Sequence, residues 1–231
     1  MATYTSKTYN FNPSAGEILL EAFGRCQVRP TELTATHIQA GVRAQNLMLS
    51  EISNMQPNLW EVELKFIPLR SGVATYSLPA EIVQITDLFI RTGTTPNTVD
   101  KICTSISRSD YANLPNKTRT GPPNQFWFNR RNSPEITFYL VPDSNGPYTA
   151  GYYSVRQTQD VELANGNTVE IPYRWLECFI CGVAWVLAKS YAPQRVQDLY
   201  AEYERQLGKV QAQDTEDVDM YITPGLGGYF R

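Results

Sequence analysis

The 231-residue chain contains a single histidine, His37, and that scarcity removes most catalytic designs built on an imidazole base or ligand. Four cysteines (Cys26, Cys103, Cys178 and Cys181) are too sparse for a disulfide framework. No apolar run reaches the ~18 residues of a membrane helix, so no membrane is expected among its partners. The start, Met1-Ala2-Thr3-Tyr4-Thr5-Ser6, lacks the basic and apolar regions of an export signal, and synthesis in a cytoplasm is expected. The basic footprint of a nucleic-acid reader is missing too: 20 Lys and Arg stand against 23 Asp and Glu. Tyrosine is plentiful, with 14 residues. Tyr-rich surfaces suit protein contacts, although a β-rich core uses the same residue.

Ser14 and Glu17 have the spacing of a capping box, which predicts a helix with Ile18, Leu19, Ala22 and Phe23 on its apolar face. Val28-Arg29-Pro30 breaks it. A second helix opens near Thr31 or Thr34, carries Ile38, Val42, Leu49, Ile52 and Met55, and stops at Pro57. From Leu59 the period changes to two. Val62, Leu64 and Phe66 alternate with charged residues, and further strands are predicted at Val73–Leu78, Ile82–Arg91, Gln125–Asn129, Glu135–Val141 and Thr149–Val155. After Ile171-Pro172 the helical period returns through Trp175, Phe179, Val183 and Leu187 to Tyr191. Ala192-Pro193 then starts another helix, with Val196, Leu199, Tyr203 and Leu207 on one face.

The expected fold class is α+β: an antiparallel helical bundle carrying a large antiparallel β insertion and an extended C-terminal tail. Residues 1–58 and 172–213 would form the bundle, 59–171 the β-rich insertion, and 214–231 the tail.

No convincing catalytic set emerges. Cys178-Phe179-Ile180-Cys181 is the only CxxC, but it lies inside an apolar helix with no second pair to complete a zinc site, and core packing accounts for it. His37 has no nucleophile elbow beside it. Gly225-Leu226-Gly227-Gly228 has no following helix to offer amides to a phosphate. Glu17 and Glu21 are most simply read as complementing a helix dipole. No cofactor and no metal site is expected.

One stretch stands out, "SRSDYANLPNKTRTGPPNQFWFNR" at 107–130, a polar run ending abruptly in Phe126, Trp127 and Phe128. With "PEITFYLVPD", "GYYSVRQTQD" and "VEIPYRWLECFICGVAWVLAKSY" after it, the chain resembles the head-to-tail adaptors of short-tailed bacteriophages. In that family a polar K-x-x-x-G-x-P segment precedes an aromatic strand, followed by a strand ending in P-x-P or V-P-D, a Tyr-rich strand and a P-x-R/K-W helix. The matching residues are Lys117, Gly121, Pro123, Trp127, Val141-Pro142-Asp143, Tyr152-Tyr153, Pro172, Arg174 and Trp175. The resemblance spans roughly residues 105–210.

The resemblance implies a structural virion protein at the head–tail junction. Its partners would be the portal protein, the tail nozzle protein, further copies of itself in a ring of twelve, and tail fibres as an additional attachment. Genomic DNA would pass through the channel without specific binding. The helical part and tail would engage the portal, with Met220, Tyr221, Ile222, Leu226, Tyr229, Phe230 and Arg231 as the binding residues. Residues 108–125 would form an extended contact loop stiffened by Pro115, Pro122 and Pro123, with Arg108, Lys117, Arg119, Pro122 and Pro123 meeting the tail or a neighbour. Some members of the resembling family act as cell-wall hydrolases. A peptidoglycan hydrolase is therefore the alternative, with Glu17, Glu21, Glu177 and Asp110 as the carboxylates to test. A third reading, a host-encoded binding module, predicts a stable monomer.

Overall fold

The computed structural model describes residues 8–9, 11–55, 59–94, 96–163 and 166–213. The capping box at Ser14 forms as its spacing predicts. Glu17 N–H donates to Ser14 Oγ at 3.3 Å, and Ser14 N–H donates to Glu17 Oε2 at 2.8 Å, opening α1 (Ala15–Arg25). The helix ends in a left-handed residue, Gln27 at φ 62°, with Val28 N–H donating back to the Phe23 carbonyl at 3.0 Å. In α2 (Ala35–Met55) the buried stripe is Gly41, Ala44, Gln45, Met48, Leu49 and Ile52. Ile38 and Met55, expected on that stripe, are exposed.

Strands β1 (Val62–Leu69), β8 (Tyr148–Arg156), β3 (Ile82–Thr92) and β4 (Val99–Ile102) form one sheet in that order, antiparallel throughout. The second sheet runs β2 (Thr75–Ser77), β7 (Glu135–Tyr139), β6 (Gln125–Asn129) and β5 (Thr104–Ser105), and its β5–β6 pair is parallel. Leu88, Ile90, Ala150 and Tyr152 of the first sheet share a core with Phe126, Ile136 and Phe138 of the second. Strands β4 and β5 escape the alternation rule because every residue in them is exposed.

The last helices are α4 (Leu176–Tyr191) and α5 (Val196–Gln213), and α1, α2 and α5 all pack on α4. At Gly182 a Cβ would lie 2.5 Å from Met48 Sδ, so α2 and α4 approach as closely as glycine permits.

The expected antiparallel helical bundle with a β insertion is overturned. The architecture is mixed α+β, with two four-stranded sheets and five α-helices among the described residues. The helices do not close their own core: Val161 and Val169 complete it, with Trp60, Leu163 and Ile171 at its margin, all from segments flanking the strands. Helical periodicity identifies an apolar face but not the neighbour that covers it. A parallel strand pair likewise leaves no mark in alternation. The predicted extended tail, 214–231, lies outside the described residues.

Between the helices and the sheets runs a polar seam. Ser53 Oγ and Thr158 Oγ1 are 2.8 Å apart, and Thr158 also donates to the buried Glu61 carboxylate. Arg156 links Glu63 (2.8 Å) to Glu170 (2.9 Å).

Candidate functional site

Residues 108–125, expected to form an extended contact loop, begin instead with a short helix. Ser107-Arg108-Ser109-Asp110 carries the S-x-x-D spacing of a cap, and it nucleates α3 (Arg108–Asn113). Asp110 N–H donates to Ser107 Oγ at 3.1 Å, and Ser107 Oγ–H donates to Asp110 Oδ2 at 2.7 Å. Pro115 follows the C-cap Leu114, where a helix cannot continue. Lys117 Nζ then turns back to donate to the Ala112 and Leu114 carbonyls at 2.9 and 3.0 Å. These are helix C-terminal acceptors, where a cation also complements the dipole.

The helix is tied down on β6. Tyr111 stacks on Trp127 with centroids 5.5 Å apart and planes at 24°, and Lys117 Nζ lies 5.9 Å from the Tyr111 centroid. Thr118 N–H donates to Asn116 Oδ1 at 3.0 Å in an Asx turn. The returning chain is held by Gly121 N–H to the Val141 carbonyl (2.8 Å) and Val141 N–H to the Arg119 carbonyl (3.0 Å). Arg108, Lys117, Arg119 and Pro122 are thus exposed on a fixed backbone, whereas Pro123 is buried and anchors it. The segment is a built surface. Its cap was legible in the sequence, but the Tyr111–Trp127 stack needs the strand pairing to be seen.

Of the four carboxylates named for hydrolysis, three share a groove and one stands apart. Asp110 belongs to the α3 cap. Glu17, Glu21 and Glu177 line a groove of about 590 Å³ between α1 and the start of α4. Arg25, also in its lining, is 3.2 Å from Glu21 and 2.9 Å from Glu177. Hydrogen bonds from the Ser14 backbone and hydroxyl hold the Glu17 carboxyl below its usual range, opposite to what a general acid needs. Sequence reasoning passed over Arg25, because nothing local connects the last turn of α1 to α4.

The CxxC is core, as expected. Burial pushes the Cys178 thiol up to about 12 and the Cys181 thiol up to about 11, the latter partly offset by Arg25. Cys181 Sγ also accepts from Arg25 Nη1 at 2.9 Å. Glu177, Cys181 and Glu202 bring ligand-type atoms within 4.8 Å of one another, but the Arg25 guanidinium already bonds two of them, Glu177 and Cys181. His37 serves the fold: its Nδ1 accepts the Thr34 N–H at 3.1 Å at the start of α2, and its ring packs on Tyr191. The residues expected to bind the portal, Met220, Tyr221, Ile222, Leu226, Tyr229, Phe230 and Arg231, lie outside the described residues, as does the Gly225–Gly228 run.

No curated protein sequence matches the chain. A family model does, that of the SU10 adaptor protein, and the match runs over residues 17–225, from the first turn of α1 past the end of α5. The chain therefore belongs to the SU10 adaptor protein family, and it is a bacteriophage structural adaptor, a component of the head–tail junction of the virion.

Proposed function

We propose that this adaptor assembles as a ring of twelve copies that joins the portal protein above to the tail nozzle protein below. The ring leaves a channel through which the genome is ejected. The observation that carries this reading, beyond family membership, is the α3 segment. A cationic surface presented on a backbone fixed by a cap, a ring stack and a strand bridge loses little entropy on docking. Arg108, Lys117, Arg119 and Pro122 meet the nozzle or the neighbouring copy, and Pro123 anchors the loop beneath them. The tail, through Tyr221, Ile222, Tyr229 and Phe230 as anchors with Met220, Leu226 and Arg231 beside them, engages the portal. Residues 1–58 and 172–213 act as the portal-side unit and 59–171 as the peripheral unit, where tail fibres attach.

The role is structural, not enzymatic. The lowered carboxyl of Glu17 and the Arg25 bridge between Glu21 and Glu177 favour packing over hydrolysis. A lumen that is neutral to acidic lets DNA pass, since each phosphate contact would add affinity through counterion release.

The test is to mix the purified protein with portal and image the product. The expected result is a monomer in light scattering for the protein alone and rings only with portal. A stable ring in dilute solution without portal overturns templated assembly, and failure to associate with portal at all overturns the placement.

A further inference from the structure

The groove between α1 and α4 is open to solvent and unusual in what it exposes. Phe11 and Tyr173 stand at its rim 70% and 75% exposed, ring edge to ring face at 6.2 Å. Rings that open to water, beside a cavity of about 590 Å³, invite an aromatic partner. The charge is acidic: Glu17, Glu21 and Glu177 face one groove guanidinium, Arg25, while the other, Arg174, lies 5.7 Å from the Trp60 ring centroid.

The chain itself leads back toward this groove. Helix α5 runs antiparallel along α4, with Tyr203 stacked on Trp185 at 5.7 Å and Glu202 within 4.8 Å of Glu177 and Cys181. Its last residue, Gln213, is therefore roughly 16 Å of helix beyond the level of the groove. Residues 214–231 follow and could span about 60 Å when extended. They finish in Tyr229-Phe230-Arg231, two aromatic rings and a cation, and Pro224, Gly225, Gly227 and Gly228 before them permit a reversal.

We propose that Tyr229-Phe230-Arg231 seats in the α1–α4 groove of its own chain before assembly. The two rings pack on Phe11 and Tyr173, and the guanidinium lies beside Glu17, the groove carboxylate that Arg25 does not bridge. Intramolecular docking is favoured by an effective concentration on the order of 1 mM. A tip with an intrinsic Kd of about 100 μM then occupies the groove about nine-tenths of the time. The consequence for assembly rests on the portal reading above. The parked tip withholds Tyr229 and Phe230 from other molecules until the portal offers a better seat, so free chains stay apart.

The probe is a fluorescein-labelled, amidated peptide of residues 224–231, followed by anisotropy against the full chain and against a chain ending at Gln213. The shortened chain takes up the peptide, and the full chain takes it up about tenfold more weakly because its own tip competes. Phe11→Ala with Tyr173→Ala weakens uptake by the shortened chain at least about fivefold, with an unchanged circular dichroism spectrum because both rings are exposed. An Arg231→Glu peptide is weakened similarly.

No uptake by the shortened chain, equal uptake by both chains, or uptake indifferent to the two rim substitutions each overturns the proposal. A full chain that shields its groove only as a dimer in light scattering places a second copy's tip there, and overturns the intramolecular form. Portal binding by both chains is measured in parallel. Peptide uptake without portal binding sinks the portal reading alone, and portal binding without uptake sinks the parked tip alone.

Discussion

Ser107→Ala should melt α3 while leaving the rest of the protein folded. Ser107 supplies both halves of the cap, accepting the Asp110 N–H through its hydroxyl and donating that hydroxyl to the Asp110 carboxylate. Losing such a cap costs about 1 kcal/mol. A helix of six residues has almost no stability of its own, so that loss is large against what holds it. Tyr111→Ala removes the stack on Trp127, another ~0.5–1.5 kcal/mol. Together the two changes amount to about 2 kcal/mol, or roughly a thirtyfold rise in the open population of residues 108–113. The global core is untouched, because none of α3 is buried. The check is hydrogen exchange on peptides covering 106–116, with a thermal melt and a titration against the proposed nozzle partner beside it. Exchange in that window should accelerate, Tm should fall by less than about 4 °C, and partner affinity should drop several-fold. If exchange is unchanged, α3 is held by something other than its cap and stack. If α3 melts and affinity does not move, the fixed cationic surface is not the contact.

Four further outcomes follow from the packing and the electrostatics. Gly208→Ala, in open space within α5, should raise stability by about 1 kcal/mol, seen as a Tm increase of roughly 2–4 °C. Gly182→Ala should lower it, since a Cβ 2.5 Å from Met48 Sδ overpacks a core at about 1–3 kcal/mol, more than helix propensity returns. Glu170 is held below its ordinary 4.5 chiefly by its hydrogen bond from Arg156. Its contribution is therefore fully present above that pH and lost as pH falls through the lower folded value. Glu170→Gln should accordingly destabilise near neutrality, and denaturant melts of the two proteins should converge under acid. Cys178 and Cys181, with thiols pushed up to about 12 and 11, should resist a disulfide reagent at pH 8 in the native protein and react on unfolding.

Local features of this fold were legible and long-range ones were not. The Ser14 cap and the broad apolar face of α4 are properties of adjacent residues and appear where the spacing places them. The alternation in β1 marks the strand but not its inward face: Leu64 and Phe66, expected to be half-buried, are exposed, and Ile67 and Leu69 pack on the sheet core instead. The stripe of α2 is legible at Leu49 and Ile52 but not at the small residues and the glutamine that share it. Gly41, Ala44 and Gln45 are buried there because α1 and α4 come close, and a count of large apolar residues cannot see that. Gln45 is held by donating to the Ala15 carbonyl at 2.9 Å. The candidate site divides the same way. The α3 cap sits in four consecutive residues, whereas the Arg25 bridge to Glu177 joins positions 152 apart in sequence.

The polar seam bears on how an adaptor transmits position. The apolar cluster of the helices and that of the sheets have no member in common. What joins them includes Ser53, Thr158 and buried Glu61, and Arg156 between Glu63 and Glu170. Apolar contact is non-directional and tolerates sliding. Hydrogen bonds weaken steeply with distance and angle, and a buried carboxylate that loses its partner carries its full desolvation cost. A seam of this kind therefore fixes orientation more tightly than an apolar one of equal area would. The α3 surface rides on the sheets and the last turn of α5 on the helices. Two contacts on different units can engage their partners together only if their separation is fixed, and directional bonds between the units fix it.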